Sequence, residues 1–89
     1  MHKKEVIYVY NISQLDNLTK VKFVQALKGR NGHEGVVGEH RGRFLVPGCF
    51  IVLDSKSQDI EEFFNHWNVK FDKYSVELLG ETHKIDYVG

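Results

Sequence analysis

The sequence is poor in the features that would assign a function class directly. It contains one cysteine, Cys49, and one proline, Pro47, and its 12 Lys and Arg residues balance 12 Asp and Glu residues. A single cysteine excludes an internal disulfide framework and favours a reducing compartment, so we expect a cytoplasmic protein. A net charge of zero gives no general attraction to nucleic acid or to a membrane surface. The apolar runs are too short to cross a bilayer, so no membrane partner is expected.

The chain length and the apolar runs predict one small globular domain. The 89 residues, 42% of them hydrophobic, suit a single domain that spans residues 1–89. The run 48–53 is uncharged and rich in β-branched and aromatic residues, which is typical of a buried strand. A second run, 6–12, is apolar on both of its alternating faces, as in a central strand. We place the core in residues 6–79 and interpret 80–89 as a tail or an extra edge strand.

Two stretches have the period of an amphipathic helix. In the first, apolar residues recur from Leu15 to Leu27, with Ser13 as the expected N-cap and Gly29 as the stop. In the second, apolar side chains recur at the spacing of one helical face: Ile60, Phe63, Phe64 and Trp67. We expect these four residues to pack against a sheet, not to line a cofactor site.

The segment between the two helices predicts a hairpin. Val36 and Val37 form the centre of a short strand, and the loop tip is placed near Arg41 to Arg43. The stretch 44–46 then leads to the turn at Pro47 and Gly48, and a last strand is expected at 74–79.

The order strand, helix, strand, strand, helix, strand predicts an α+β fold. Right-handed crossovers place the first and third strands in the middle of a four-stranded antiparallel sheet, with both helices on one face. This is the ferredoxin-like βαββαβ sandwich, which leaves the other sheet face open. We expect Ile7, Val9, Phe50 and Val52 to face the helices. The residues expected to look outward are Val6, Tyr8, Tyr10, Cys49 and Ile51.

The first strand resembles the first-strand motif of RNA-recognition-motif (RRM) domains. Residues 7–12 follow its pattern of aliphatic, aromatic, aliphatic, any residue, Asn and an aliphatic residue, and the strand order over residues 6–79 is similar. The third strand has Cys49 and Ile51 where that family has stacking aromatics. The resemblance therefore implies a stacking role for Tyr8 alone.

Two functions from different classes follow from an open sheet face with exposed tyrosines. The first is a non-catalytic module that binds single-stranded RNA by base stacking and by a basic rim. Its predicted contact residues are Tyr8, Tyr10, Lys28, Arg30, Arg41 and Arg43. The alternative is a protein-interaction or homodimeric assembly subunit, because an exposed apolar face usually has a partner. Its predicted interface consists of Val6, Tyr8, Tyr10, Cys49 and Ile51.

Catalytic and metal-binding patterns are absent from the sequence. The histidines lie on separate segments without ligand spacing: His2, His33, His40, His66 and His83. Cys49 lies within a predicted strand and fits a buried, inert thiol better than a nucleophile. We therefore predict no catalytic residue, no metal site and no cofactor.

Overall fold

The computed structural model describes residues 3–78, so the predicted tail at 80–89 lies outside the described residues. Within that range the elements follow one another as β1 (Lys3–Tyr10), α1 (Asn17–Lys28), β2 (Gly29–Arg30), β3 (His33–Glu34), α2 (Val36–Glu39), β4 (Arg43–Val46), β5 (Cys49–Leu53), a 3-10 turn (Asp54–Lys56), α3 (Ser57–Trp67) and β6 (Phe71–Leu78).

Four of these strands form one antiparallel sheet in the order β4-β5-β1-β6. The two inner strands, β1 and β5, pair Val6 with Val52 and Tyr8 with Phe50. The strand β6 pairs with the other side of β1 along its whole length, and β4 pairs with β5. The predicted α+β class with a four-stranded antiparallel sheet is therefore confirmed.

The core lies between this sheet and the helices α1 and α3. Phe23 and Leu27 of α1 and Ile60 and Phe64 of α3 are fully buried in one cluster with the inward side chains of β1 and β5. Burying a large apolar side chain stabilises a fold by roughly 1.5–3 kcal/mol. The two helices and the two central strands are therefore held by the same set of contacts.

The second predicted helix is confirmed, whereas the N-cap predicted for the first is wrong. Helix α3 buries Ile60 and Phe64, and it ends at Asn68 in the left-handed conformation, with φ of 56°. The N-cap of helix α1 is Asp16, three residues after the predicted Ser13, and its side chain accepts a hydrogen bond from the Thr19 N–H at 2.9 Å. The Ser13 N–H instead donates to Asn11 Oδ1 at 2.8 Å, which closes a local turn ahead of the helix.

The segment between α1 and β5 differs from the predicted hairpin. Residues 29–34 form a small separate hairpin around Asn31 and Gly32, both of which have positive φ. Val36, expected in a strand, begins the short helix α2 instead. The second strand of the main sheet is β4, and the predicted turn at Pro47 and Gly48 joins it to β5, whereas residues 41–43, predicted as the tip of the hairpin, lead from α2 into β4. Gly48 has φ of 84°, as a Pro-Gly type II turn requires.

Candidate functional site

The candidate site is the side of the sheet that faces away from α1 and α3. Side chains alternate along a strand, so residues next to the buried Val6 and Tyr8 lie on this side. The registers of the four strands place the following residues together, and we call them the open face: Glu5, Ile7 and Val9 of β1, Cys49, Ile51 and Leu53 of β5, Asp72, Tyr74 and Val76 of β6, and Arg43 and Val46 of β4.

The open face is apolar in its middle and carries charge at its edges. Tyr74 and Val46 are 56% and 44% exposed, whereas Ile51, on the inner strand β5, is 6% exposed. Among the side chains that the structure describes, the charged ones on this face are Glu5, Asp72 and Arg43. Glu5 Oε2 is buried without a hydrogen-bond partner in the described part of the chain, and nothing in the structure explains it.

The predicted orientation of β1 is wrong, because Val6, Tyr8 and Tyr10 face the helices. Val6 and Tyr8 are fully buried, and Tyr10 packs against the same core. Both alternating sets of this strand are apolar, so its hydrophobic pattern does not decide which set is buried. A shift of one residue exchanges the two faces of a strand completely. Tyr8 therefore cannot stack on a base at the open face, and its orientation is opposite to the one that the RRM resemblance implies.

A hydrogen-bond network makes the buried tyrosine tolerable. Tyr8 Oη lies 2.8 Å from Glu61 Oε2 and 3.3 Å from the Ser57 carbonyl, and Lys73 Nζ donates to the same Glu61 oxygen at 2.7 Å. Burial and the neighbouring Glu61 carboxylate raise the pKa of Tyr8. The hydrogen bond from Lys73 lowers the pKa of Glu61. Both pKa shifts arise from the packing of the sheet against α3, so Tyr8 and Glu61 have a structural role.

The residues predicted to bind RNA lie on several different elements. Arg30 lies in the small β2–β3 hairpin, Arg41 lies in the turn after α2, and Arg43 lies on the open face. Lys28 and Tyr10 are the two that line a common cleft, at one end of the sheet. Of the predicted partner interface, Cys49 and Ile51 do lie on the open face, whereas the β1 residues of that set do not.

Sequence reasoning missed several residues of the open face. Tyr74 and Val76 alternate with polar residues in the last strand, a pattern that predicts a two-sided strand but not which side is solvent-exposed. Ile7 and Val9 were expected in the core, so their place on the open face follows directly from the inverted orientation of β1. Once one residue of β1 is placed, the strand register assigns all of the others.

Among residues 3–78, no group of three His, Cys, Asp or Glu side chains is arranged to hold a metal ion. His40 is held between two acceptors, with Nδ1 2.7 Å from the Val36 carbonyl oxygen and Nε2 3.3 Å from Asp59 Oδ2. The contact with Asp59 connects the end of α2 to α3. Cys49 is a free, half-buried thiol on the open face.

Comparison with known proteins adds no assignment. No protein-family model, no curated protein and no solved structure matches the chain. In the part of the chain that the structure describes, no helix has the length and apolar character needed to cross a membrane. Function must therefore be inferred from the surfaces themselves.

Proposed function

We propose that the protein is a non-catalytic interaction module that pairs with a second copy of itself through the open face. The observation that carries this proposal is a sheet face, turned away from α1 and α3, that presents the exposed apolar side chains of Val9, Val46 and Tyr74 on a domain of 89 residues. Contiguous apolar surface on so small a domain usually marks an interaction site. Base stacking on the same face is less favoured, because Tyr8, the residue that the resemblance assigns to stacking, is buried.

The fold that presents this face is, we propose, a ferredoxin-like βαββαβ sandwich with an insertion. The strand order β4-β5-β1-β6 and the position of α1 and α3 in one core support this assignment. The β2–β3 hairpin and α2 would then be an insertion between the first helix and the second strand of the sheet.

A second copy is favoured as the partner because one row of residues across the open face is complementary to the same row of a second copy running in the opposite direction. Across the sheet, Arg43, Ile51, Ile7 and Tyr74 lie side by side on β4, β5, β1 and β6. A two-fold axis parallel to the strands, between β5 and β1, sets Ile7 of one copy on Ile51 of the other. The same axis sets Arg43 over the ring of Tyr74, a favourable cation–π arrangement.

The perpendicular two-fold axis is disfavoured by charge. An axis across the strands at the level of this row sets Arg43 of one copy directly over Arg43 of the other. Like charges in a partly desolvated interface repel, so this arrangement costs free energy that the first one avoids. We therefore propose that the strands of the two copies run nearly parallel to the dimer axis, subject to the usual angle of roughly 30° between packed sheets.

The size of the open face sets the expected affinity. Four strands about 4.8 Å apart and about five residues long give an area of roughly 19 Å by 17 Å. The two faces together then contribute roughly 650 Å², which is below the size of stable specific interfaces, so we expect weak self-association with dissociation constants of about 10–500 μM. The dimer must therefore be sought over a wide range of concentrations.

The test is sedimentation equilibrium of the full chain from about 5 to 500 μM, a range chosen to bracket that affinity. We expect a monomer–dimer equilibrium that Ile7→Asp and Tyr74→Asp each abolish, because each places a carboxylate in the apolar interface. The matched control is Val21→Asp, since Val21 is 53% exposed on α1, away from the sheet. Circular dichroism checks that all three variants stay folded. A monomer at every concentration, or a dimer equally unaffected by all three substitutions, would overturn the proposal.

A further inference from the structure

A cleft of about 960 Å³ opens at the end of the sheet where β1 ends and β5 and β6 begin. Its walls come from the loop after β1, from α1, from the turn at Pro47 and Gly48, and from the segment that joins α3 to β6. The proposed dimer uses this cleft little, because Val9 and Asp72 are the two lining residues that belong to the open face. Its volume is in the range of small-molecule sites.

Two aromatic residues, Tyr10 and Phe71, are among those that line the cleft, and core packing fixes the positions of their rings. The Tyr10 ring lies 5.7 Å from the ring of Phe23 and 5.9 Å from that of Phe50, measured between centroids. The Phe71 ring is stacked on Phe64 at 4.8 Å. Rings that are fixed by packing offer a flat apolar surface at little further cost in conformational entropy.

The charges in the cleft favour an anion. Lys28 and Lys70 line it, and neither forms an ion pair with another residue in the range 3–78. The Lys28 ammonium lies over the ring of Phe44, 5.2 Å from its centroid, where no carboxylate neutralises it. Asp72 is the one carboxylate among the lining residues. The cleft therefore has an excess of positive charge in a protein whose net charge is zero.

Polar groups beside the rings can orient a ligand. The side-chain oxygen of Asn11 already accepts the hydrogen bond of Ser13, which leaves its amide N–H groups as donors. Asn68, at the end of α3, also lines the cleft, and Asp72 supplies acceptor oxygens. A ligand with ring-edge donors and acceptors or with sugar hydroxyls would satisfy these groups.

We propose that this cleft binds a nucleotide, with the base against Tyr10 and Phe71 and the phosphate beside Lys28 or Lys70. Aromatic rings, two ammonium groups without a carboxylate partner and side-chain amides are the chemistry that a base joined to a phosphate requires. The nucleotide is either a free mononucleotide or one residue of a single-stranded RNA, and the same contacts serve both. This inference stands independently of self-association through the open face.

The experiment is a titration of the ¹⁵N-labelled full chain, monitored by two-dimensional NMR. The probes are inorganic phosphate, uridine, UMP, AMP and an unlabelled ten-nucleotide oligouridylate. We expect the mononucleotides or the oligonucleotide to shift the amide signals of residues 10–14 and 68–72. Lys28→Gln and Lys70→Gln should each weaken binding by about 1.5- to 5-fold, the usual cost of one exposed ion pair. Lys22→Gln is the matched control, because Lys22 is exposed on α1 and does not line the cleft.

The two sources of the nucleotide give different results. Binding of the oligonucleotide with a steep salt dependence, and no binding of UMP or AMP, assigns an RNA chain; in that case Lys28→Gln should reduce the logarithmic salt slope by about 0.7. Equal binding of mononucleotide and oligonucleotide assigns a free nucleotide. The proposal is overturned if phosphate alone reproduces the shifts, if Lys22→Gln weakens binding as much as the cleft variants, or if no probe binds at millimolar concentration.

Discussion

Tyr8 Oη donates a hydrogen bond to Glu61 Oε2 across 2.8 Å, between the central strand β1 and helix α3. The two residues are 53 positions apart in the sequence, and the bond satisfies the polar end of a side chain that is otherwise surrounded by aromatic rings. Because Lys73 of β6 donates to the same oxygen at 2.7 Å, the carboxylate joins three elements. The inward orientation of β1 therefore depends on a residue from the distant end of the chain.

Replacing the hydroxyl tests the strength of that connection. Tyr8→Phe keeps the ring and its packing but removes the donor to Glu61, so we expect the free energy of unfolding to fall by about 0.5–1.5 kcal/mol. Urea denaturation followed by circular dichroism measures the loss. Tyr74→Phe removes the same group from a side chain that is 56% exposed and should leave stability unchanged. Equal effects of the two substitutions would show that the Tyr8 hydroxyl contributes nothing specific.

The pH dependence of stability should reveal the ionisation of Glu61. The hydrogen bond from Lys73 lowers the pKa of this carboxyl in the folded state. A group with a lower pKa when folded stabilises the fold above its unfolded pKa, which is about 4.3 for Glu, and this contribution is lost as the pH falls through the folded value. We expect the free energy of unfolding to decrease between about pH 5 and 3, and the decrease to be smaller in Glu61→Gln.

The neighbouring Glu62 supplies the control for that measurement. Glu62 is exposed on the same helix, so Glu62→Gln removes one carboxylate without disturbing the network around Tyr8. It should retain the acid dependence of the unmodified protein. If the loss of stability at acid pH were reduced equally in Glu61→Gln and Glu62→Gln, the acid dependence would reflect net charge and not the pairing of Glu61 with Lys73.

The parts of the fold that were predicted correctly are those with an unambiguous local pattern. Ile60, Phe63, Phe64 and Trp67 recur at the spacing of one helical face, which predicts an amphipathic helix with that face buried. Helix α3 contains all four residues. The apolar run 48–53 has no competing helical period, and β5 occupies it. In both stretches the local preference and the tertiary environment agree.

The orientation of β1 could not be obtained in this way. Val6, Tyr8 and Tyr10 and their alternates Ile7 and Val9 are all compatible with burial, so the choice depends on what each face meets. Val6, Tyr8 and Tyr10 face the core because aromatic side chains and the Glu61 carboxylate contact this side of the strand. These partners come from α1, β5, α3 and β6. Such long-range partners leave no signal in the strand itself.

Gly35 lies at a close crossing of backbone segments just after α1 and the β2–β3 hairpin. A Cβ atom added to it would lie 2.4 Å from the Gly29 nitrogen and 2.4 Å from the Leu27 oxygen, although its own φ of −85° is ordinary. The constraint is therefore a close crossing of backbone segments and not a special backbone angle.

Substitution of this glycine should be far more costly than substitution of its neighbour in α2. We expect Gly35→Ala to destabilise the protein by at least about 2 kcal/mol, because backbone atoms must move apart. Gly38→Ala should change stability by no more than about 0.5 kcal/mol, or increase it slightly, since its added Cβ would meet the Glu34 side chain at 3.5 Å or more. Thermal unfolding of the two variants in parallel measures the difference. Similar losses would contradict the close crossing.

Cross-linking should distinguish the two possible dimer axes. Packed sheets lie about 10 Å apart, too far for a direct disulfide, so a short bis-maleimide is the suitable reagent. In a Cys49→Ser background, which removes the single native cysteine, Arg43→Cys chains mixed with Tyr74→Cys chains should give mainly mixed dimers. The Ile7 and Ile51 contacts that we propose at the centre of the interface remain in both variants. Val21→Cys mixed with Tyr74→Cys is the control and should give no enrichment above random collision. Preferential linking of Arg43→Cys to itself would instead place the two-fold axis across the strands and would contradict the arrangement in which Arg43 meets Tyr74.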